Sequence, residues 1–303
     1  MTDFTTIFPT ATRKLFPADY MEGLEEIRVR AELPLELLYG DGRILRLGTI
    51  GTSQIREMLN YLSGYSLYAL AEELKQGYLT MEGGHRIGVV GHVARMEQEN
   101  ALQGDIQGVF QISGLNIRVA HEKKGCAAKL VRGIRSGETI YNTLIFAPPG
   151  VGKTTYLRDS IRLLSSGDEE YPGVKVSVVD ERSEIAACYQ GVPQNDLGPR
   201  TDVLDNCPKE RGMLMMIRSM SPQIIAVDEL GEERDFLAVN EAIHSGSRIL
   251  GTIHAENVQE LATKPYLQKL LEHQLIGRYV SISRTPDGAR VIELYNEKLQ
   301  KIC

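Results

Sequence analysis

The sequence predicts an α/β protein in two parts: residues 121–303, built on a parallel sheet wrapped by helices, and a smaller α+β domain over residues 1–120. Three observations predict it. An apolar run at 143–147 feeds Pro-Pro-Gly-Val-Gly-Lys-Thr-Thr, the strand–loop–helix signature of a phosphate-binding loop. Further apolar runs at 174–179, 223–228 and 248–253 alternate with helical spacing, the pattern of parallel strands joined by crossover helices. Before residue 120 the apolar segments are shorter and are punctuated by glycine-rich hairpin turns.

In chain order, residues 26–29 and 35–39 read as short strands, and Gly40-Asp41-Gly42 reads as a hairpin turn into a third strand at 43–47. Residues 53–62 and 66–76 carry helical spacing, through Ile55, Met58, Leu59 and Leu62, then Leu67, Leu70 and Leu74. A second hairpin turns at Gly83-Gly84, between strands at 78–81 and 86–90, and residues 107–119 read as a strand interrupted at Gly114. The segment 121–125, with two lysines and a glycine, reads as a linker. Beyond it, a helix starting at Lys153 presents Leu157, Ile161 and Leu164 on one face. Residues 196–202 and 208–212 are rich in Gly, Pro and charge and read as loop, followed by an apolar helix at 213–219 whose methionines suit core packing.

The bulk numbers narrow the function classes. The 303 residues, 42% hydrophobic and 24% charged, are ordinary for a soluble globular protein. A net charge of −6 argues against a mainly electrostatic grip on nucleic acid. Cys126, Cys188, Cys207 and Cys303 are scattered without a C-x-x-C pair, which forms neither a zinc set nor a disulfide framework and fits a reducing compartment. The N-terminus lacks a basic region followed by an apolar core, so no signal peptide is expected. No apolar run approaches the roughly 20 residues of a membrane span, so a membrane role is expected only through a partner.

The chemistry concentrates at strand ends. In the loop Pro149-Gly150-Val151-Gly152-Lys153-Thr154-Thr155 the glycines permit dihedrals that turn successive N–H groups toward a phosphate, and the helix that follows adds its positive end. Lys153 is placed to neutralise the β- and γ-phosphates of ATP and the Thr154 hydroxyl to ligate Mg²⁺. Ala147 stands where the motif usually has its first glycine. Residues 224–227 run into Asp228, suited to hold Mg²⁺, and Glu229, suited to orient or deprotonate the attacking water. Residues 176–179 repeat the design, ending in Asp180-Glu181-Arg182 with Glu184 close behind. Coming directly after the phosphate-loop helix, that strand is expected beside the phosphate-loop strand, so Glu181 competes with Glu229 for the role of base. His254 ends the 248–253 strand, where it is placed to bond the γ-phosphate or a catalytic carboxylate. Arg118, Arg200, Arg211 and Arg218 are candidates for a charge inserted into a neighbour's site, and the residues themselves do not choose among them.

This ordered set resembles the secretion ATPases of type II and type IV systems, including the type IV pilus motors. Their phosphate loop, Asp box, Walker B strand and His box correspond to residues 147–154, 176–184, 224–229 and 251–257. Glu26-Ile27-Arg28-Val29-Arg30 followed by Leu33-Pro34-Leu35 is similar to their N-terminal domain, and Asn116-Ile117-Arg118-Val119 to the arginine-bearing strand that closes it. Within the superfamily, residues 200–205, 207–209 and 218–222 resemble strings of a branch that acts in endospore formation, and the match covers nearly the whole chain. Against the secretion motors, no extended N-terminal docking domain is expected, and the four scattered cysteines do not form their tetracysteine zinc motif. The resemblance implies a RecA-like P-loop ATPase domain behind a PAS-like one, with ATP and Mg²⁺ as its ligands. It implies a homohexamer that is cytoplasmic, peripheral to the mother-cell membrane and anchored by an integral membrane protein of the sporulation channel. There it would power the channel between mother cell and forespore, with no nucleic-acid partner. It also implies hydrolysis between adjacent subunits, with Arg118 the first choice for the contact in trans. The competing function is a nucleic-acid-binding P-loop ATPase or translocase, for which the sequence holds no recognisable binding module.

Overall fold

Period-two alternation of apolar and polar side chains builds the first of two compact units, Met1–His121 and Glu122–Cys303. The computed structural model describes residues 4–64, 74, 77–95, 106–285 and 288–302. A one-turn helix, α1 (Thr10–Arg13), precedes β1 (Leu24–Arg30), β2 (Leu33–Tyr39) and β3 (Ile44–Ile50), then helix α2 (Thr52–Leu62) and strands β4 (Tyr78–Met81), β5 (His85–Arg95) and β6 (Ile106–Arg118). The strands form one sheet in the order β3-β2-β1-β6-β5-β4, with every pair antiparallel. Ile27, Val29, Leu35, Leu37, Ile87, Leu115 and Ile117 share a core with Ile55, Met58 and Leu59 of α2 and with Phe4 and Phe8. The turn at 40–42 is built as its residues suggest: Gly42 has φ +88° and Asp41 accepts the Arg43 N–H at 2.9 Å. Gly114 does not interrupt its strand. A β-carbon there would lie 3.0 Å from Arg30, whose guanidinium crosses to the carbonyls of Val29 and Leu115. The helix expected over 66–76 lies outside the described residues apart from Leu74.

The second unit begins with α3 (Ala128–Ile134) and a hairpin of β7 (Arg135–Ser136) and β8 (Thr139–Ile140). Then come β9 (Thr143–Ala147), α4 (Lys153–Ser166), β10 (Val176–Asp180), β11 (Thr201–Asp205), α5 (Lys209–Met220), β12 (Ile224–Val227), α6 (Glu233–His244) and β13 (Arg248–His254). Short helices α7 (Val258–Thr263) and α8 (Gln268–Glu272) lead to β14 (Arg278–Arg284) and β15 (Arg290–Tyr295). The sheet order is β11-β10-β12-β13-β9-β14-β15, parallel except for β15. Successive residues of the central strands serve two cores. Ile145, Val178 and Ala226 pack with Leu130 of α3 and with Leu157, Ile161 and Leu164 of α4. Leu144, Phe146, Val179, Ile225 and Val227 pack with Met213 of α5 and with Phe236 and Val239 of α6. Helices on both faces bury the inner strands β9, β10 and β12, which is why these read as unbroken apolar runs.

One expectation is corrected. β10 does not lie beside the phosphate-loop strand, because β12 and β13 stand between them and β9 is paired on its two edges by β13 and β14. Chain adjacency does not dictate sheet adjacency when a helical crossover can pass over two strand positions and later strands fill the gap. Besides the short hairpin of β7 and β8, three strands of this sheet exceed the sequence reading. β11, within a segment read partly as loop, is a half-buried edge with only Val203 and Leu204 apolar, while β14 and β15 form an edge hairpin with polar residues interspersed.

Candidate nucleotide site

The phosphate loop leaves β9 at Ala147 and enters α4 at Lys153, with Gly150 at φ +74° and Gly152 at φ +110° as the last residue before the helix. Such dihedrals are open to glycine and strained for residues with a β-carbon. Pro149 and Gly150 are exposed, Val151, Thr154 and Thr155 half-buried, and Lys153 buried. The Lys153 ammonium donates to the carbonyls of Ala147 (3.1 Å) and Pro148 (3.3 Å) and lies 3.0 Å from Nδ1 of His254. Burial lowers its pKa, and the nearby carboxylates of Asp228 and Glu229 oppose that shift.

The ends of β12 and β13 complete the cluster. Thr154 donates its hydroxyl to Asp228 Oδ2 at 2.6 Å. Thr252, fully buried on β13, donates to Asp228 Oδ1 and accepts the Glu229 N–H at 2.8 Å. Glu229 adopts φ +57°, a left-handed conformation that costs an ordinary residue about 1 kcal/mol, and the Thr252 hydroxyl secures that turn. Its carboxylate then meets His254 Nε2 at Oε1 (2.8 Å) and the Arg182 guanidinium at Oε2. A lysine can only donate, so Nδ1 of His254 accepts and Nε2 carries the proton given to Glu229. Thr154 and Asp228, the pair assigned to Mg²⁺, present hard oxygens from adjoining elements, a donor set that suits this ion with phosphate oxygens and water filling its other positions. Among the described residues no group of three or more His, Cys, Asp or Glu could hold a metal by itself.

The acidic end of β10 divides into two roles. Asp180, only 2% exposed, accepts the N–H groups of Glu184 (2.9 Å), Ile185 (2.9 Å) and Ala186 (2.8 Å) and so shapes the loop behind it. Burial pushes its pKa up to about 6 against the pull of those donors. Glu181 is paired with Lys209 of α5 at 2.6 Å. Asp180, Glu181, Arg182, Glu184, Lys209, Asp228 and Glu229 line one small cavity of about 20 Å³. Lys153, Thr154, Asp228, Glu229 and His254 thus converge, and Glu181 borders them. Arg118 belongs to the other unit, exposed at the end of β6, with Glu26 and Arg86 opposite it on the flanking strands. The sequence reading assigned no role to Thr252, Arg182 or Lys209. All three sit inside strings already singled out, and only their contacts reveal what they do.

No helix among the described residues is long and apolar enough to cross a membrane. The crystal structure of the Legionella pneumophila ATPase DotB is similar, with a TM-score of 0.59 at 18% identity, covering 95% of this chain and 82% of that one. The pilus retraction motor PilT with bound ADP gives a TM-score of 0.63 at 14% identity, covering 97% and 82%. At such identities the likeness is one of fold, an α/β architecture shared with these proteins. In sequence, the chain is 42% identical over 275 residues to stage III sporulation protein AA of Bacillus subtilis (strain 168), covering 90% of this chain and 87% of that protein. Residues 3–302 match the family described as sporulation stage III, protein AA, and the chain belongs to that family.

Proposed function

We propose that this chain is a Mg²⁺-dependent ATPase whose hydrolysis drives conformational work in a ring of identical subunits. The observation that carries this reading is the convergence of Lys153, Thr154, Asp228, Glu229 and His254 at the carboxyl ends of three adjacent strands. Open α/β sheets bind ligands at such ends. In this reading Lys153 and the loop N–H groups take the β- and γ-phosphates, and Thr154 and Asp228 hold the metal. Mg²⁺ supplies charge neutralisation on the phosphate oxygens when bound. Glu229 aligns a water on the γ-phosphorus and receives its proton, giving ADP and phosphate, and His254 holds the carboxylate in place. Glu181 is the second candidate for the base.

Residues 121–303 are read as the RecA-like ATPase domain and residues 1–120 as a PAS-like domain, supported by the single antiparallel sheet of the first unit. Family membership and the fold shared with an ATPase and a pilus motor support work on the mother cell–forespore channel, in a homohexamer held at the membrane by an integral membrane partner. Arg118 is the residue proposed to reach a neighbour's nucleotide. The decisive assay is ATP turnover by purified protein with Mg²⁺. Lys153→Ala should abolish it while circular dichroism and melting temperature stay native, and full residual hydrolysis would sink the reading. Mass measurement with and without ATP tests the ring.

A further inference from the structure

A half-buried arginine on the last strand has its guanidinium against the phosphate loop. Arg290 opens β15, and its Nε donates to the carbonyl of Val151 at 2.9 Å. A β-carbon on Gly152 would lie 3.2 Å from Nη2 and 3.4 Å from Nε. Gly152 therefore serves two needs, its dihedral of +110° and room for this side chain. Three arginines near the site have an anionic partner or more than one acceptor. Arg162 pairs with Asp159 at 2.7 Å, Arg182 with Glu229, and Arg158 donates to the carbonyls of Glu184 (2.6 Å) and Ile185 (2.8 Å). Among the described residues Arg290 has no carboxylate partner, and Val151 is its single acceptor. A guanidinium carries five N–H donors, and a partly buried cation without a counter-charge is costly unless an anion arrives. Its field also reaches Cys126 and Tyr156, where it opposes the upward shift that burial imposes on both.

We propose that Arg290 is a further phosphate-binding residue of the site, contacting the part of the polyphosphate that ATP and ADP share. This rests on the nucleotide reading above. The sheet order supplies the direction. β13 and β12, with His254 and Glu229, lie on one side of β9, while β14 and β15 lie on the other, so Arg290 approaches the loop from the side opposite the γ-phosphate machinery. Its planar fork fits phosphate bidentately in a way lysine does not match.

The test is calorimetric titration of the full chain with Mg-ADP and Mg-ATP, in wild type, Arg290→Gln and Arg290→Lys. Arg290→Gln should weaken both nucleotides by about tenfold or more, by similar factors. Arg290→Lys should show a smaller but measurable loss of both. In Arg290→Gln the dependence of Kd on salt should become shallower, because one cation fewer meets the polyphosphate. Unchanged affinities with only a lowered melting temperature would make Arg290 a brace of the loop and overturn the proposal. A loss confined to ATP would overturn it too, by moving the contact to the γ-phosphate. If Arg290→Gln does not fold, the Lys variant decides alone, and wild-type affinity for both nucleotides overturns the proposal. A wild-type protein that binds neither nucleotide would instead sink the nucleotide reading.

Discussion

The ammonium of Lys153 lies 3.0 Å from Nδ1 of His254, although 101 residues separate them in the chain. The other ring nitrogen touches Glu229 at 2.8 Å, so one imidazole joins the phosphate-loop lysine to the proposed base. A γ-phosphate that draws Lys153 toward itself frees Nδ1 and changes how firmly Glu229 is held. His254→Ala is therefore expected to lower kcat by about ten- to a hundredfold with a much smaller change in KM, as loss of base positioning does. Steady-state kinetics check this, and a change confined to KM would assign His254 to ground-state binding.

The two candidate bases differ in what surrounds them. Glu229 adjoins Asp228, which is bonded to Thr154 and Thr252, whereas Glu181 is tied to Lys209. Glu229→Gln should slow hydrolysis by about 10² or more while leaving ATP binding intact, and Glu181→Gln should have a clearly smaller effect. Single-turnover rates on both variants settle the assignment, and the reverse ranking would make Glu181 the base.

Thr252 is fully buried and holds both Asp228 and the Glu229 backbone through one hydroxyl. Thr252→Val keeps the shape and removes that hydroxyl, which strands a backbone donor and a carboxylate oxygen. The expected loss is about 1–3 kcal/mol of stability, with a fall in turnover. Urea denaturation beside an ATPase assay measures both. Native stability in the variant would show that water replaces the hydroxyl at no cost.

The first unit should be sensitive to acid through His85. Nδ1 of this residue accepts the Ala120 N–H at 3.0 Å, its ring lies 4.4 Å from that of Phe4, and burial, aided by His121, pushes its pKa down to about 4. The unfolded chain takes up a proton near the ordinary value of 6.5, but the folded chain does so only near 4. Stability is thus complete above about 6.5 and falls as the pH drops through the window, by roughly 2–3 kcal/mol at about pH 4. Denaturation curves of wild type and His85→Gln between pH 4 and 7 isolate the term, because the Gln variant should lack this slope. Parallel curves for the two proteins would refute it.

Much of the site is legible because its signals are local. Gly150, Gly152, Lys153 and Thr154 announce their geometry within one loop, and Asp228, Glu229 and His254 each end an apolar run. The two hairpin turns of the first unit are legible for the same reason, as short stretches of glycine between alternating strands. What escaped lies in contacts between distant segments. Arg182 and Lys209 neutralise the competing carboxylates, Thr252 links the Asp228 carboxylate to the Glu229 backbone, and Arg290 comes from a strand whose polar residues hid it at the sheet edge.

The sequence by itself determined the phosphate loop, the buried strands that carry the acids and the histidine, and the alternation that makes this an α/β protein, because dihedral preference and side-chain periodicity act over a few residues. The tertiary structure alone decided that β12 and β13 separate β10 from β9, and therefore which carboxylate meets His254 and which meets Lys209. Strand order depends on the paths of crossovers and on which edges remain open for pairing, and no short window of sequence contains either.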